Sequence, residues 1–490
     1  MGIPKFYGSF IRNRYQKAGV LIRELPNSIS SFSLDMNSLI HEVSQLAFKE
    51  QNDEQIFYEL FSTRLIELIN SVQPKDYLIL AIDGVAPMSK IIQQRQRRYK
   101  STLSIRNPNF DSNAITPGTP FMMRLDEYLR KWLKTLNYEF KIIYSSHLVP
   151  GEGEHKIMDH FKELDIDSNK NHVIYGMDAD LIVLSMLSSL NYVYLIRQDI
   201  ENIVDINQLR IVISNDLKNN PTAINDFALM SYFVGSDFLP VSPMFENLER
   251  SLDLMIKVYD ESLTENGKIL FKPLIKFLTK VSKEEEIFLV RESRREKKLG
   301  WKLMDNSYVN GRFVYDLFRE QWYRIGPKSD RNIQYDIPRM CKDYVNTLQW
   351  ILNYYIKGNS NTNQLVYYHY EFSPLIRDVI KNVKEIQLPE GSLQSLNPIS
   401  QLICVIPPQS FEVLPASLYR VIKATSCFKD IFPEKFILDI DGKDYEWQGI
   451  PLLPYPDINK INHCIDKLDI LNKLKDELKK QEYELIINLS

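Results

Sequence analysis

YLILAIDGVAPMSKIIQQRQRRYKS, residues 77–101, changes character twice. Tyr77–Asp83 is an apolar run closed by an acid, and Ser89–Tyr99 is a helical pattern crowded with basic side chains. Apolar character without alternation suits a strand buried on both faces, as in parallel sheets covered by helices. The same grammar recurs on either side. Ser31–Asp35, Lys141–Ser145, His172–Asp178 and Tyr192–Arg197 read as strands. Residues His41–Asn70 (with room for a break), Pro120–Leu136 and His155–Lys162 read as helices between them. This is a βαβ rhythm, and it predicts an α/β domain with a largely parallel sheet.

In such a sheet the strand C-termini share one edge, where ligands bind. Asp35 and Asp83 close two strands, and a third runs into Asp178 and Asp180. VPGEGEHK places Glu152 and Glu154 just before a helix, and FVGSDFLP supplies Asp237. One Asp after a strand is ordinarily a helix cap or turn residue, and Glu152 and Glu154 suit a helix N-terminus. Seven acids on one edge are harder to dismiss, because like charges in a cleft repel and shift each other's pKa values unless cations neutralise them. Hard divalent cations with oxygen ligands do that, so Mg²⁺ is expected, as two ions, with Mn²⁺ able to replace it. The E-x-E and D-x-D spacings put both carboxylates on one side of extended backbone. The chemistry this implies is two-metal phosphodiester hydrolysis, in which one cation activates water and both stabilise the departing oxygen. No nucleophile triad competes, and GEGEHK is neither a Walker loop nor a dinucleotide fingerprint.

A basic run is usually a solvated helix face. On a helix over Ser89–Tyr99, however, Lys90, Gln94, Arg97 and Arg98 fall on one face beside the acid-tipped edge, with Arg95 on another side. Two guanidinium forks, an ammonium and an amide match a terminal phosphate, which carries more charge than an internal diester.

The 490 residues exceed one ordinary domain, and no linker divides them, so two docked regions are expected. The composition, 44% hydrophobic and 25% charged, is that of a globular protein. A net charge of −3 gives no overall nucleic-acid footprint, but acids in a site and bases in a groove cancel in the sum. No apolar run approaches the roughly 20 residues of a membrane span. The first residues lack a secretory core, and Phe6 stands where a myristoylation signal needs Ser or Thr. Four dispersed cysteines predict a reducing, intracellular setting with neither zinc nor disulfides. Beyond Pro240 the reading turns helical: an exposed charged helix in Lys283–Gly300, an amphipathic helix over Asp343–Gly358 and a hairpin in Phe436–Pro454 turning near Asp441-Gly442. An amphipathic stripe over Ile461–Leu478 predicts a C-terminal helix.

MGIPKFY, LDMNSLIH, IDGVAPMSKIIQQRQRRYKS, ITPGTPFMMRL, VPGEGEHKIMDHF, YGMDADLIVL and DFALMSYFVGSDFLP resemble, in order, the motifs of the 5′→3′ exoribonuclease (XRN) family. DYVNTLQWILNYYIKG, YYHYEFSPLIRD and FILDIDGKDYEWQGIPLLP resemble its second conserved region. The resemblance implies a PIN/flap-nuclease-like α/β domain over 1–245, a mostly helical second region docked on it over 246–455, and a C-terminal helix in 456–490. It implies Mg²⁺-dependent, processive release of mononucleotides from single-stranded RNA bearing a 5′ monophosphate, hence action after decapping or cleavage in mRNA turnover. Asp35, Asp83, Glu152, Glu154, Asp178, Asp180 and Asp237 match the family's metal ligands, and Lys90, Gln94, Arg97 and Arg98 its phosphate pocket. His41 matches the histidine that stacks on the terminal base, although by itself it reads as a helix-start residue.

Three departures stand out. Met88 replaces a usual Arg, the loop GNSNTNQLV has no tryptophan for base stacking, and the sequence stops soon after the second region, so a compact member without the long C-terminal extensions of the large relatives is expected. A monomer in the cytoplasm is expected (a host's cytoplasm for a viral protein), with the nucleus second. The alternatives are a flap-endonuclease-like 5′ nuclease on DNA, or a catalytically idle RNA-binding protein.

Overall fold

A computed structural model describes residues 6–104, 107–164, 166–197, 202–295, 299–325, 335–388, 396–474 and 484–487. Most of the motif MGIPKFY therefore lies outside the described residues.

Eight strands form the main sheet: β1 (Leu21–Ile22), β2 (Ile29–Asp35), β3 (Tyr77–Ala81), β4 (Lys141–Ser145), β5 (Asn171–Tyr175), β6 (Tyr192–Ile196), β7 (Ile203–Asp205) and, at the far end of the chain, Glu484–Ile487. The five central strands, in the order β6-β5-β2-β3-β4, are parallel. Alternate side chains feed two cores. Phe32, Leu34, Leu78, Leu80 and Ile142 face one, while Ile79, Ala81, Ile143, Ile174 and Leu195 face the other. A sheet covered on both faces is what makes these strands continuously apolar. The ladder includes Asp35 but stops short of the other acids: β3 ends at Ala81 and β5 at Tyr175, so Asp83 and Asp178 stand on the connections just above the edge and Asp180 begins the helix that follows. The antiparallel margins β1 and β7 escape a sequence reading because they are two and three residues long.

The helices that build the site are α1 (Met36–Ala47), α2 (Glu54–Val72), α3 (Met88–Ser101), α4 (Pro120–Leu133), α5 (Gly153–Glu163) and α6 (Asp180–Leu187). The expected helix over His41–Asn70 is two, with Asp53 capping the second through the Gln55 N–H at 2.8 Å. Beyond residue 240 the fold is mostly helical, with short hairpins. Its longest helix, α7 (Ile337–Lys357), has Pro338 in its first turn, is capped by Asp336 and ends at Gly358, whose φ of 84° suits glycine. Ile437–Asp439 and Ile450–Leu452 pair antiparallel, as expected of the hairpin, around Gly442 at φ 72°.

Four expectations are corrected. The basic helix is not a solvated face beyond its four site residues. Arg95 is 1% exposed and donates to the carbonyls of Cys404 (2.6 Å) and Ile431. Val85, Ala86, Met88 and Ile91 pack on Ile399, Leu402 and Ile465 in a third core, which docks α3 onto the second region. The charged segment from Lys283 is half core: Glu285, Phe288, Leu289 and Glu292 of the helix Glu285–Ser293 are buried. Glu285 accepts from the Tyr315 hydroxyl and the Ile376 N–H, both at 2.9 Å, and Glu292 pairs with Arg250 at 2.7 Å. Burial of a charge is tolerated there because each is partnered.

The C-terminal stripe is a helix only over Ile458–Lys467 and a turn at Ile470–Lys473, interrupted by Asp469 at φ 51°. Residues 475–478 lie outside the described residues. Glu484–Ile487 then pairs antiparallel with β4, covering an edge of the sheet. Finally, Cys427 and Cys464 are joined by a disulfide with Cα atoms 6.2 Å apart, while Cys341 and Cys404 are free and buried. Partners 37 residues apart leave no local spacing signal, so tertiary packing alone reveals the pair. Among the described residues no helix is long and apolar enough to cross a membrane.

Candidate active site

The carboxyl edge of the sheet opens into a cavity of about 600 Å³. Six of the seven predicted acids, Asp35, Asp83, Glu152, Glu154, Asp178 and Asp237, line it, together with Lys90, Gln94, Arg97, Arg98 and His41. The seventh, Asp180, opens α6 and is buried beside them.

Asp35 caps α1, accepting from the Asn37 N–H (3.2 Å) and the Ser38 hydroxyl (3.0 Å). Asn37 also donates to Asp83 Oδ2 (2.9 Å) and accepts from the Asp83 N–H (3.0 Å), so it ties two strand ends together. Gly153 N–H reaches Asp83 Oδ1 at 2.7 Å. A Cβ on Gly153 would stand 3.0 Å from both the Ala81 carbonyl and Asp35 Oδ1, which explains the glycine between the two glutamates. Lys90 Nζ lies 2.6 Å from Glu152 Oε2 and 2.8 Å from Asp237 Oδ2. Its ammonium therefore joins the acids as well as the basic face of α3.

The electrostatics are those of an under-neutralised cluster. Burial and the Asp83 and Asp178 carboxylates push Asp35 well above the ordinary carboxyl range. Burial, Asp180 and Glu152 do the same to Glu154. Burial raises Glu152 to about 7 against the pull of Lys90, and Asp180 to about 6. For Lys90 burial alone would lower the ammonium, yet Asp237 and Glu152 hold it well above its usual value. Glu154 Oε2 and Asp180 Oδ1 are buried without a hydrogen-bond partner. Orphaned oxygens on raised carboxylates are what a hard divalent cation would satisfy, so this donor set fits one. Glu152, Glu154 and His155 also place ligand atoms within 4.8 Å of one another.

These shifts have a sign. A carboxyl raised in the folded state binds protons there that the unfolded chain has released, so stability falls as pH rises through that window. For Glu152 and Asp180 the window runs from their ordinary values of 4.5 and 3.8 up to about 7 and 6. In chelator, the melting temperature is expected to drop between about pH 4 and 7, and saturating Mg²⁺ to flatten that slope. Parallel slopes with and without the cation would show that these acids do not bind it.

At the other end of the cavity the charges are positive. Arg98 donates to the Asn113 carbonyl at 3.3 Å and to the Thr116 hydroxyl, but its Nε has no partner. Burial and the adjacent Arg97 push its guanidinium down to about 9. Arg97 is exposed in the cavity wall. Gln94 is oriented from the second region: Gln401 accepts the Ala86 N–H (3.0 Å) and donates to Gln94 Oε1 (3.4 Å), leaving the Gln94 NH₂ as a donor. Burial and the two arginines lower His41 to about 4, so its ring is neutral. Met88, where an arginine is usual, is a core residue. The tryptophan-free loop anchors the start of α3, the Gln364 carbonyl accepting the Met88 N–H (2.8 Å) and the Val366 carbonyl the Ser89 hydroxyl (2.9 Å). No Phe, Tyr or Trp lines the cavity among the described residues, so His41 is its one aromatic ring there. Sequence reasoning missed Asn37, Gln401 and two tyrosines of α7, because only tertiary proximity marks them.

Two family descriptions match the chain: "XRN 5'-3' exonuclease N-terminus" over residues 1–199, and "Xrn1 helical domain" over 218–312 and 310–485. Human 5'-3' exoribonuclease 1 is 27% identical across 98% of this chain and 34% of its own length. The Drosophila melanogaster 5'-3' exoribonuclease 2 homolog is 26% identical across 89% of this chain and 65% of its own. For Saccharomyces cerevisiae 5'-3' exoribonuclease 1 the figures are 24%, 98% and 44%. The chain thus spans between a third and two thirds of the length of these relatives. A solved Rad2 catalytic core in complex with DNA aligns at TM-score 0.31 and 14% identity, over 51% of this chain and 68% of that one. With both conserved regions matched in order along most of its length, the chain belongs to the XRN 5′→3′ exonuclease family.

Proposed function

We propose that this protein is a divalent-metal-dependent 5′→3′ exoribonuclease that removes mononucleotides from RNA bearing a 5′ monophosphate. The observation that carries the reading is the polarity of one cavity, with an under-neutralised carboxylate cluster at one end and a buried guanidinium with an unpartnered Nε at the other. A terminal phosphate on Arg97, Arg98 and the Gln94 amide would set the next phosphodiester over the acids. Hydrolysis there breaks the bond to the 3′ oxygen, and the shortened RNA again carries a 5′ monophosphate, which the same pocket accepts.

Asp35, Asp83, Glu152, Glu154, Asp178, Asp180 and Asp237 would hold Mg²⁺, which when bound supplies the positive charge that stabilises the transition state. Asn37 and the Gly153 N–H hold Asp83 in place, and Lys90 ties Glu152 to Asp237. The neutral His41 ring offers a stacking face for the terminal base, worth about 1–3 kcal/mol. Among the described residues no second aromatic ring lines the cavity beside it, so processivity is expected to be modest. We place the protein in the cytoplasm as a monomer, acting after decapping or endonucleolytic cleavage in mRNA turnover.

Matched RNAs with a 5′ monophosphate, triphosphate or cap, incubated with Mg²⁺, test this. Mononucleotide release from the monophosphate form alone is expected. Equal degradation of all three removes the phosphate pocket, preference for flapped DNA selects a structure-specific nuclease, and no turnover selects an RNA-binding protein.

A further inference from the structure

Helix α7 belongs to the second region, yet its last two turns reach into the acid cluster. Tyr354 is fully buried, and its hydroxyl donates to Glu152 Oε1 at 3.0 Å. The next residue, Tyr355, places its hydroxyl 3.4 Å from Asp180 Oδ2, a longer and weaker contact. Neither tyrosine lines the cavity, so neither is placed to touch RNA.

The Tyr354 ring cannot easily turn away. His155 lies against one side at a centroid distance of 3.8 Å, and Trp350, one helical turn earlier, stacks on it at 5.2 Å and 10°. The clamp matters because of what Glu152 already does. Its Oε2 is held by Lys90, so the phenol fixes the second oxygen and with it the plane of the carboxylate. A carboxylate fixed at both oxygens keeps its remaining lone pairs in one direction, which is how outer groups tune a metal ligand.

We propose that Tyr354, with a smaller contribution from Tyr355, is a positioning residue that orients metal-facing carboxylates, so the helical region completes the catalytic site instead of only covering it. This rests on the metal-dependent nuclease reading above, and the test separates the two. Tyr354→Phe keeps the ring and its packing but removes the hydroxyl. Titrating wild type and variant with Mn²⁺ alone, followed by calorimetry or electron paramagnetic resonance, should show affinity reduced about 10- to 100-fold. Tyr355→Phe should lose less. In single-turnover assays Tyr354→Phe should lower the rate at fixed metal, recover with added Mn²⁺, and leave the KM for RNA unchanged.

Tyr344→Phe is the control. It lies on the same helix, is equally buried, and its hydroxyl has no hydrogen-bond partner. Unchanged Mn²⁺ affinity in Tyr354→Phe, or an equal loss in Tyr344→Phe, would overturn the proposal, as would a wild type that binds no Mn²⁺. Wild type whose Mn²⁺ affinity depends on Tyr354 but that hydrolyses no RNA would overturn the nuclease reading and leave this one standing.

Discussion

Glu154→Gln is expected to abolish RNA hydrolysis while making the metal-free protein more stable at alkaline pH. Glu154 lies in the first turn of α5 and lines the cavity, with Oε2 buried and unpartnered. Burial, then the Asp180 and Glu152 carboxylates, hold its carboxyl well above the ordinary range. Ionising it therefore costs the folded, metal-free protein more than the unfolded chain. That cost sets in as pH rises past the ordinary value of 4.5 and is complete only above the raised one. An amide of the same shape removes the charge and with it the cost. On the proposed reading it also removes one anionic ligand from the cation. The second effect is worth several kcal/mol of transition-state stabilisation, so mononucleotide release should fall by about 10³-fold or more. The first should raise the melting temperature in chelator by about 1–2 °C at alkaline pH, the shift that ~1–2 kcal/mol produces in a chain of this length. The further rise on adding Mg²⁺ should shrink. RNA binding by anisotropy should survive, because the phosphate face is untouched. A variant that still turns over removes Glu154 from the metal set. One that is inactive and destabilised in chelator points to a structural role, since relief of repulsion cannot destabilise. Opposite signs for activity and metal-free stability are the mark of a strained functional site.

The parts of this site that sequence made legible are those governed by local rules. Continuous apolar strands revealed the parallel sheet, and acids at or just past three strand ends located the edge where Asp35, Asp83 and Asp178 meet. Helical spacing placed Lys90, Gln94, Arg97 and Arg98 on one face, and all four line one cavity. What stayed hidden depends on residues far apart in the chain. Arg95 looked solvated because nothing nearby shows that Cys404 and Ile431 will offer carbonyls to it. Tyr354 and Gln401 belong to stripes whose apolar neighbours explain them as packing, yet each hydrogen-bonds a site residue, 202 and 307 positions away respectively. The pairing of Glu484–Ile487 with β4 and the Cys427–Cys464 bond are of the same kind. Lys90 shows the intermediate case. Its face was readable, but its division between phosphate face and acid cluster needed the distances to Glu152 and Asp237.

Arg97→Ala should cut the preference for a 5′ monophosphate over a 5′ hydroxyl by roughly 10- to 100-fold in kcat/KM, the size of a charged hydrogen bond of about 1.5–3 kcal/mol. Arg97 and Arg98 are unequal partners. Arg98 is buried, tethered to Asn113 and Thr116, and held below its usual value by burial and by Arg97. Arg97 is exposed in the wall, and its charge acts on the Asp178 carboxylate that lines the same cavity. Two guanidiniums side by side repel, so their juxtaposition costs stability that an arriving phosphate dianion would return. Arg97→Ala should therefore leave the fold intact or slightly more stable, whereas Arg98→Ala would strand Asn113 and Thr116 and confuse folding with recognition. Arg97→Lys discriminates further. A point charge retains the long-range attraction but not the planar fork, so it should restore part of the preference and little of the geometry. Because Arg97 also lowers His41, the alanine variant should let the His41 imidazole titrate at a higher pH, a change visible by NMR without any substrate. An unchanged monophosphate preference alongside that His41 shift would place Arg97 near the pocket but outside phosphate recognition, leaving Arg98 and Gln94 to carry it.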